Sequence, residues 1–370
     1  MTLNRTKLLS LAFGVGALMA SAGAKAATPD IDGAKALIAA HSVLPTFTPP
    51  GPPFDAKKCM AGKKILTIPV SSANPFTKNI ATAMTKTAKQ IGFEVKEWEN
   101  QAQPTQWVQG MEFAINNHYD AVDMLGGVNP QVLGPQIAQA KKAGIKIYTS
   151  HLYDTIQKPD PSVDLSMQVP YHDVGTLLAA WVTAKTGGKV NAVIVGSDEI
   201  IPTAPFVKGI TDGLAKLCGP TCKFTYINAP VPEWSTKIKT GVQSALIADP
   251  TINYVIPIYD SMSQFVVPAL TITGRKDVKI ATFNGTPFVI DMIQKGQVEM
   301  DVGESLGWIA RSVLDGYMRD MCGLKSYSTL YVPFYLFDSS NAKNAGTPAD
   351  YDRGYGDQHV AGYDKLWMLK

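Results

Sequence analysis

The fold is indicated most clearly by Ile65-Leu66-Thr67-Ile68-Pro69-Val70, which leads through Ser71-Ser72-Ala73-Asn74 into Pro75-Phe76. A short apolar run bounded by turn residues predicts a buried β-strand. The residues from Pro75 to about Gln90 have a helical period, and Asn before Pro is a favourable helix start. The stretch therefore predicts a strand, a loop and a helix.

The same alternation continues along the chain in two series. The first series predicts strands at 65–70, 95–98, 121–125 and 146–149, with helices at 75–90, 104–117 and 131–143 between them. The second predicts helices at 173–185, 204–217, 236–248, 263–272, 288–295 and 307–321, and strands at 190–195, 223–227, 254–258, 278–283 and 299–302. Such alternation is typical of βαβ units with a parallel sheet.

A polar segment, residues 154–168, separates the two series and has no helical period. Gly92 and Gly144 fall where helices should end, which supports the boundaries on either side. We therefore expect an α/β protein of two doubly wound lobes with a cleft between them. In open sheets of this kind, ligands bind beyond the carboxyl ends of the strands.

The N-terminus resembles a secretory signal peptide, residues 1–26. Arg5 and Lys7 precede an apolar stretch from Leu8 to Ala22, and Ala24-Lys25-Ala26 fits a signal-peptidase site. The apolar run of about 15 residues is shorter than the roughly 20 that a membrane-spanning helix needs. We expect cleavage after Ala26 and a periplasmic location. Residues 27–60 then predict a leader with a short helix at 31–40 and a proline-rich strap at 45–53 that must be extended.

The four cysteines favour disulfides, because their number is even and the compartment is oxidising. Cys218 and Cys222 flank turn residues and predict a local bridge, which leaves Cys59 and Cys322 as the second pair. No histidine or further cysteine pair lies near Cys218, so the spacing does not indicate a metal site.

The charge balance and the motifs exclude several functions. The first 26 residues hold three basic residues and no acid, so the remaining chain has 31 basic and 31 acidic residues. A neutral chain does not suggest nucleic acid as a partner. The sequence has no Gly-x-Ser-x-Gly, no His-Glu-x-x-His and no phosphate-binding loop. We therefore expect a binding protein without catalytic residues, metal or cofactor.

The sequence also resembles the type I periplasmic binding proteins of the ribose-binding group, over about residues 62–322. The resemblance is carried by the order of several short motifs, namely 68–76, Asp120-Ala121-Val122, 143–147, Val207-Lys208-Gly209, Asp260-Ser261-Met262 and 282–287. It implies a three-segment hinge near 165–171, 303–306 and 331–334. It also implies a first lobe of residues 61–167 plus 305–332, and a second lobe of residues 168–304 plus 333–370 with the tail.

The resemblance implies a set of ligand-binding residues at the cleft: Asn74, Phe76, Ser150, His151, Trp234, Tyr259, Asp260, Asn284 and Glu304. The family's strand-end aspartate, next to a binding arginine, aligns with His151, and a second arginine is replaced near Pro205 or Phe206. The family's loop aromatic aligns with Glu233 or Trp234. These departures remove charged groups that clasp sugar hydroxyls in the family.

Structural roles compete with ligand contact at several of these positions. Asn74 could cap the helix that starts at Pro75, and Asp260 could hold backbone amides at a strand end. Trp234 could pack in its loop, His151 could lie on the surface, and Glu304 could act in the hinge.

The resemblance implies a monomeric solute-binding protein that takes up a sugar or polyol and passes it to an ABC permease in the inner membrane. The residue types suit a neutral polyol, because Asn, His, Tyr, Asp and Glu pair with hydroxyls and aromatic rings cover C–H faces. The alternative is a periplasmic sensor that presents a small polar metabolite to a membrane kinase, since one fold serves both.

Overall fold

The computed structural model describes residues 28–369, so the predicted signal peptide lies outside the described residues. The architecture is the predicted one, with two α/β lobes that each contain a largely parallel sheet. Within residues 28–369, no helix combines the length and apolar character needed to cross a membrane.

The leader contributes two helices, and the first sheet follows directly. The leader helices are α1 (Ile31–Ala40) and α2 (Ala56–Met60). The sheet strands are β1 (Lys64–Pro69), β2 (Glu94–Glu97), β3 (Ala121–Leu125), β4 (Lys146–Asp154) and β5 (Leu165–Val169), in the order β2-β1-β3-β4-β5 and all parallel. The connecting helices are α3 (Pro75–Ile91), α4 (Pro104–Asn116) and α5 (Gly134–Lys142).

The second sheet has six strands, of which the last is antiparallel. The strands are β6 (Asn191–Gly196), β7 (Lys223–Asn228), β8 (Tyr254–Pro257), β9 (Lys279–Asn284), β10 (Met300–Gly303) and β11 (Tyr335–Asp338), in the order β11-β10-β9-β8-β6-β7. Its helices are α6 (Tyr171–Thr186), α7 (Thr203–Leu217), α8 (Trp234–Ala248), α9 (Ser263–Thr273) and α10 (Pro287–Gln294).

Among the described residues, two further helices follow, α11 (Leu306–Met321) and α12 (Gln358–Leu366). The first lobe consists of the first sheet with α3, α4, α5 and α11. The second lobe consists of the second sheet with α6 to α10. The chain passes between the lobes after β5, after β10 and before β11, where Leu330 donates to the Gln168 carbonyl at 2.9 Å.

The segment 154–168 differs from the expectation that it is an irregular connection. Strand β4 extends to Asp154, and β5 adds an edge strand to the first sheet beside it. The side chains of β5 from Ser166 onward are buried, although Ser166 and Gln168 are polar. Polar residues in a buried strand interrupt the apolar run that would have predicted it.

The ends of α3 and α5 agree with the prediction from glycine. Gly92 ends α3 with φ 105°, and Gly144 follows α5 with φ 80°. A residue with a Cβ atom is disfavoured in this left-handed region, which is why glycine stops a helix there.

The strap and the C-terminal helix α12 pack together against the first lobe. Residues 44–55 form neither helix nor strand, as predicted, and the Pro52 carbonyl accepts from Arg319 Nη2 at 3.0 Å. The Phe54 amide donates to the Leu366 carbonyl in α12 at 2.9 Å. The predicted division assigns residues 333–370 to the second lobe, whereas α12 packs on α11, and Gln90 of α3 donates to Asp364 at 3.3 Å.

Both predicted disulfides are present. Cys59, at the end of the leader, is bonded to Cys322 at the end of α11. Cys218 and Cys222 close the short turn between α7 and β7. The first bond ties the leader to the first lobe, and the second is local.

Candidate functional site

The carboxyl ends of strands from both sheets meet at a cavity between the lobes. Segments that follow β1, β3, β5, β6, β7 and β8, together with side chains from within β4 and at the end of β9, bring the lining residues together. The lining residues are Val70, Asn74, Phe76, Thr77, Gly126, His151, Tyr171, Ile200, Pro202, Val231, Trp234, Tyr259, Ser261 and Asn284. This is the place where open α/β sheets bind ligands.

On the first-lobe side, the loop after β1 turns into α3 at Asn74. The Asn74 Oδ1 atom accepts from the Phe76 amide at 2.9 Å and so caps the helix. The cap fixes the loop, and the Phe76 ring lies 4.8 Å from the His151 ring, centroid to centroid, in an edge-on arrangement. Capping and cavity lining therefore coincide at Asn74.

His151 lies within β4 in a left-handed backbone conformation, with φ 54°. Its Nε2 atom is 2.8 Å from a Glu304 carboxylate oxygen, and its Nδ1 atom is 2.6 Å from the Tyr171 hydroxyl. Non-glycine residues rarely adopt this backbone conformation, and they cluster at functional sites. His151 is buried rather than on the surface, and both ring nitrogens have protein partners.

On the second-lobe side, two aromatic rings form the wall. The Trp234 and Tyr259 rings are nearly parallel, with centroids 6.4 Å apart. Trp234 Nε1 donates to Ser197 Oγ at 2.9 Å, and the Tyr259 hydroxyl lies 3.0 Å from Thr203 Oγ1. Because these polar ends are paired with protein groups, the rings present mainly their apolar surfaces to the cavity.

The loop after β9 presents Asn284 to the cavity. Asn284 has φ 148°, and Gly285 after it has φ 77°. Behind the loop, Asp260 accepts from the Thr286 amide at 2.6 Å and from Thr286 Oγ1 at 2.8 Å. Asp301 accepts from the Gly285 amide at 3.1 Å. The two carboxylates hold this loop in place.

Burial governs the protonation of these two carboxyl groups. Burial raises the pKa of Asp260 to about 6, although hydrogen bonds from Thr286 oppose the shift. Burial together with the neighbouring charge of Asp260 raises the pKa of Asp301 well above its usual range. Two carboxylates so close together disfavour double ionisation.

The structure brings six of the nine predicted residues together around the cavity: Asn74, Phe76, His151, Trp234, Tyr259 and Asn284. Of the two residues considered for the loop aromatic, Trp234 is the one at the cavity. Sequence reasoning missed several lining residues, among them Tyr171, Ile200 and Ser261. Ser261 lies within a motif that carried the family resemblance, but Ile200 belongs to a loop without any distinguishing pattern.

Three predicted residues do not line the cavity, for identifiable reasons. The Ser150 hydroxyl points into the sheet and donates to Asp123 Oδ1 at 2.8 Å. Asp260 faces the Thr286 loop, and Glu304 lies behind His151. Strand alternation sends Ser150 to the opposite side from His151. Asp260 and Glu304 therefore act on the residues that line the cavity.

The position expected to replace the family's arginine carries no cation. Phe206 is fully buried, and its ring lies 6.1 Å from that of Tyr171, 6.3 Å from that of Tyr259 and 5.5 Å from that of Phe283. An aromatic cluster therefore stands behind this wall of the cavity.

The lobes are closed on each other across the cavity. Ser261 Oγ of the second lobe lies 3.5 Å from Asn74 Oδ1 of the first. The space between the lining residues is only about 30 Å³, enough for about one water molecule. An adjoining groove of about 210 Å³ shares Asn74, Val231, Trp234 and Ser261 with the cavity. A ligand of ordinary size, which needs roughly 300 Å³ or more, requires the lobes to separate.

Within residues 28–369, no group of three or more histidine, cysteine, aspartate or glutamate side chains is arranged to hold a metal ion.

Two lobes with parallel sheets, joined by three chain segments and closed over a cavity at their strand ends, define a solute-binding protein of the two-lobed type. The sequence of residues 65–318 matches the periplasmic binding protein domain family, and the chain belongs to that family. The proteins of this family bind solutes for transport rather than catalyse reactions.

Solved structures share this fold at low sequence identity. A solute-binding protein of an ABC transporter from Agrobacterium vitis, with bound allitol, is 19% identical, with a TM-score of 0.67 over 78% of this chain and 99% of that one. The myo-inositol binding protein of Caulobacter is 19% identical, with a TM-score of 0.65 over 78% of this chain and 97% of that one. A sugar ABC transporter protein from Yersinia enterocolitica is 16% identical, with a TM-score of 0.69 over 88% of this chain and 99% of that one.

Proposed function

We propose that this protein is exported by a cleaved signal peptide, residues 1–26, and binds a neutral sugar or polyol for an ABC importer. The observation that carries the proposal is the cavity itself, whose wall contains Asn74 and Phe76 from one lobe and Trp234 and Asn284 from the other. A ligand that touches both sets has its highest affinity for the closed form. Its binding therefore shifts the population of protein molecules toward the closed conformation, and a permease can recognise that conformation.

The fold relatives support the ligand class. Proteins of this fold are described with bound allitol, D-allose and myo-inositol, all of which are neutral and rich in hydroxyl groups. The cavity offers amide and hydroxyl groups of Asn74, Ser261 and Asn284, which can both donate to and accept from hydroxyls. Aromatic rings beside them suit the C–H faces of such ligands.

The predicted lobe boundaries belong to the same proposal. We assign residues 61–167 and 305–332 to the first lobe and residues 168–304 to the second, with hinge movement at the three segments between them. Residues 333–357 follow the second lobe. The α12 segment moves with the first lobe, because it is attached to α11 and to the strap.

A thermal-shift screen of purified protein from residue 27 onward tests the proposal. The panel contains neutral sugars, acyclic and cyclic polyols, and charged metabolites such as amino acids and dicarboxylates. A ligand at 100 times its dissociation constant adds about 2.7 kcal/mol of stability, a readily measured shift. Stabilisation by neutral sugars or polyols supports the proposal, and stabilisation by charged metabolites alone contradicts it.

A further inference from the structure

The cavity wall is dominated by apolar and aromatic groups. Four aliphatic or proline side chains, Val70, Ile200, Pro202 and Val231, share the wall with the rings of Phe76, Tyr171, Trp234 and Tyr259. Phe76 and Val70 belong to the first lobe, and the others to the second or its boundary. A ring-shaped ligand that enters when the lobes separate, and around which they then close, therefore meets apolar surface on both sides.

Charged groups are kept out of the wall. In the part of the chain that the structure describes, no aspartate, glutamate, lysine or arginine lines the cavity. The nearby carboxylates are turned toward protein partners: Glu304 toward His151, and Asp260 toward Thr286. A charged ligand would lose its hydration in this cavity without meeting an opposite charge, which is strongly unfavourable.

Most polar groups in the wall are already bonded to protein. Both nitrogens of His151 have partners, the Thr77 hydroxyl donates to the Ser71 carbonyl at 2.8 Å, and Trp234 Nε1 is paired with Ser197. Among residues 28–369, the Asn284 carboxamide and the Asn74 NH₂ group have no hydrogen-bond partner. The Ser261 hydroxyl has only long contacts, 3.2 Å to Asp260 and 3.5 Å to Asn74.

The cavity therefore offers few hydrogen-bonding groups to a ligand, and all of them are neutral. A fully hydroxylated hexose or inositol would bury several hydroxyls against apolar groups without partners. Each such hydroxyl is unfavourable, because the hydrogen bonds it made with water are not replaced. A methyl or methylene group at the same position meets the wall without that loss.

We propose that the natural ligand is a neutral, partly deoxygenated cyclic sugar or cyclitol, whose remaining hydroxyls are held by Asn74, Ser261 and Asn284. This inference rests on the proposed function, because it names the kind of sugar within the proposed class. Discrimination comes from the apolar wall, which rejects extra hydroxyls, and from the missing counter-charges, which reject acids.

Calorimetric titration with ligands that differ at one position tests the inference. One series is D-galactose, D-fucose and D-galacturonate, which carry hydroxymethyl, methyl and carboxylate groups on the same ring. A second is D-glucose, 6-deoxy-D-glucose and D-glucuronate, and a third compares myo-inositol with its monodeoxy derivatives. We expect the deoxy member of at least one series to bind about tenfold more tightly than its parent, with no measurable binding of the acids.

The variant Val70→Thr provides a matched test of the wall. Threonine has nearly the shape of valine and adds a hydroxyl at a 5% exposed position in the cavity. We expect this variant to reduce the preference for the deoxy member to about threefold or less. An unchanged preference in this variant contradicts the role given to the wall.

The outcomes separate the inference from the proposed function. If the fully hydroxylated parents bind more tightly than the deoxy members in every series, or if an acid binds as well as its neutral partner, the inference fails while a sugar-binding function stands. If no sugar or polyol of any series binds, both fail together.

Discussion

The imidazole of His151 lies with Nε2 2.8 Å from a carboxylate oxygen of Glu304, and both side chains are almost completely buried. The bond joins β4 of the first lobe to the segment by which the chain returns from β10. A cavity-lining ring is thus held by a residue of the hinge. We infer from this contact that a movement of the lobes would change the shape of the site.

Removal of the imidazole should destabilise the protein. We expect His151→Leu to lower the free energy of unfolding by about 3 kcal/mol or more, because it leaves the Glu304 carboxylate buried without its partner. Denaturant unfolding measures the loss. The double variant His151→Leu with Glu304→Gln should recover part of it, since a neutral amide is less costly to bury. Equal stability of the single and double variants would argue against the pairing.

The carboxylate of Asp260 should act on binding without touching the ligand. We expect Asp260→Ala to weaken ligand binding, because it frees the Thr286 amide and hydroxyl that hold the loop of Asn284. Each unpaired buried group costs about 1–3 kcal/mol of stability. Thr286→Val removes only the hydroxyl contact and should have the smaller effect on both the ligand affinity and the stability. Calorimetry and thermal unfolding of both variants measure them, and an unaltered affinity in Asp260→Ala would contradict the positioning role.

Asp123 in β3 should make stability depend on pH. Burial raises its pKa to about 6, against an unfolded value of about 3.9. The folded protein therefore binds the proton of the Asp123 carboxyl more tightly than the unfolded chain does. The resulting contribution to the free energy of unfolding is fully present below about pH 4 and is lost as pH rises through 6. We expect Asp123→Asn to be about 1–3 kcal/mol more stable than wild type at pH 7 and similar to it at pH 4.

Thermal unfolding between pH 4 and 8 checks this behaviour, with Asp123→Leu as the control. In the wild type, the hydroxyls of Ser150 and Tyr317 donate to Asp123 at 2.8 and 2.7 Å. Leucine at this position leaves both hydroxyls without an acceptor. That variant should be destabilised at every pH. An Asp123→Asn protein that loses stability at pH 7 would refute the assignment.

The two disulfides should differ in their contribution to stability. Cys59–Cys322 spans 263 residues of sequence, whereas Cys218–Cys222 spans 4. Loop-closure entropy predicts about 5.6 kcal/mol for the long-range bond and about 2 kcal/mol for the local one. Paired Cys→Ser variants, unfolded in denaturant, measure the difference. Equal losses would mean that the long-range bond does not restrict the unfolded chain.

The sequence predicts much of this fold because local patterns carry it. The apolar run at Ile65, the Asn-Pro helix start and the glycine after α3 each follow local rules that the tertiary structure does not override. The strand β5 was missed because its buried residues include Ser166 and Gln168, whose burial depends on partners distant in sequence.

The cavity was only partly predictable for a related reason. Asn74 and Asn284 stand at strand ends, where the topology alone places them near a ligand. Whether a polar side chain at a strand end faces the cavity or its neighbours depends on its place in the strand alternation and on the local backbone conformation. Ser150 and His151 are adjacent in sequence, yet one bonds into the sheet and the other lines the cavity.

The most direct test of ligand binding between the lobes is a calorimetric titration of wild type and Asn284→Gly with the tightest ligand from the thermal-shift screen. Glycine suits the φ of 148° and removes the carboxamide together with Cβ, whereas alanine would keep a Cβ atom in this disfavoured conformation. Asn74→Ser, which retains a helix cap, is the matched variant on the opposite lobe. We predict that each substitution weakens binding by about 1–3 kcal/mol while the melting temperature without ligand changes little. Unchanged affinity in both variants would contradict the account, because the ligand would then bind outside this cavity.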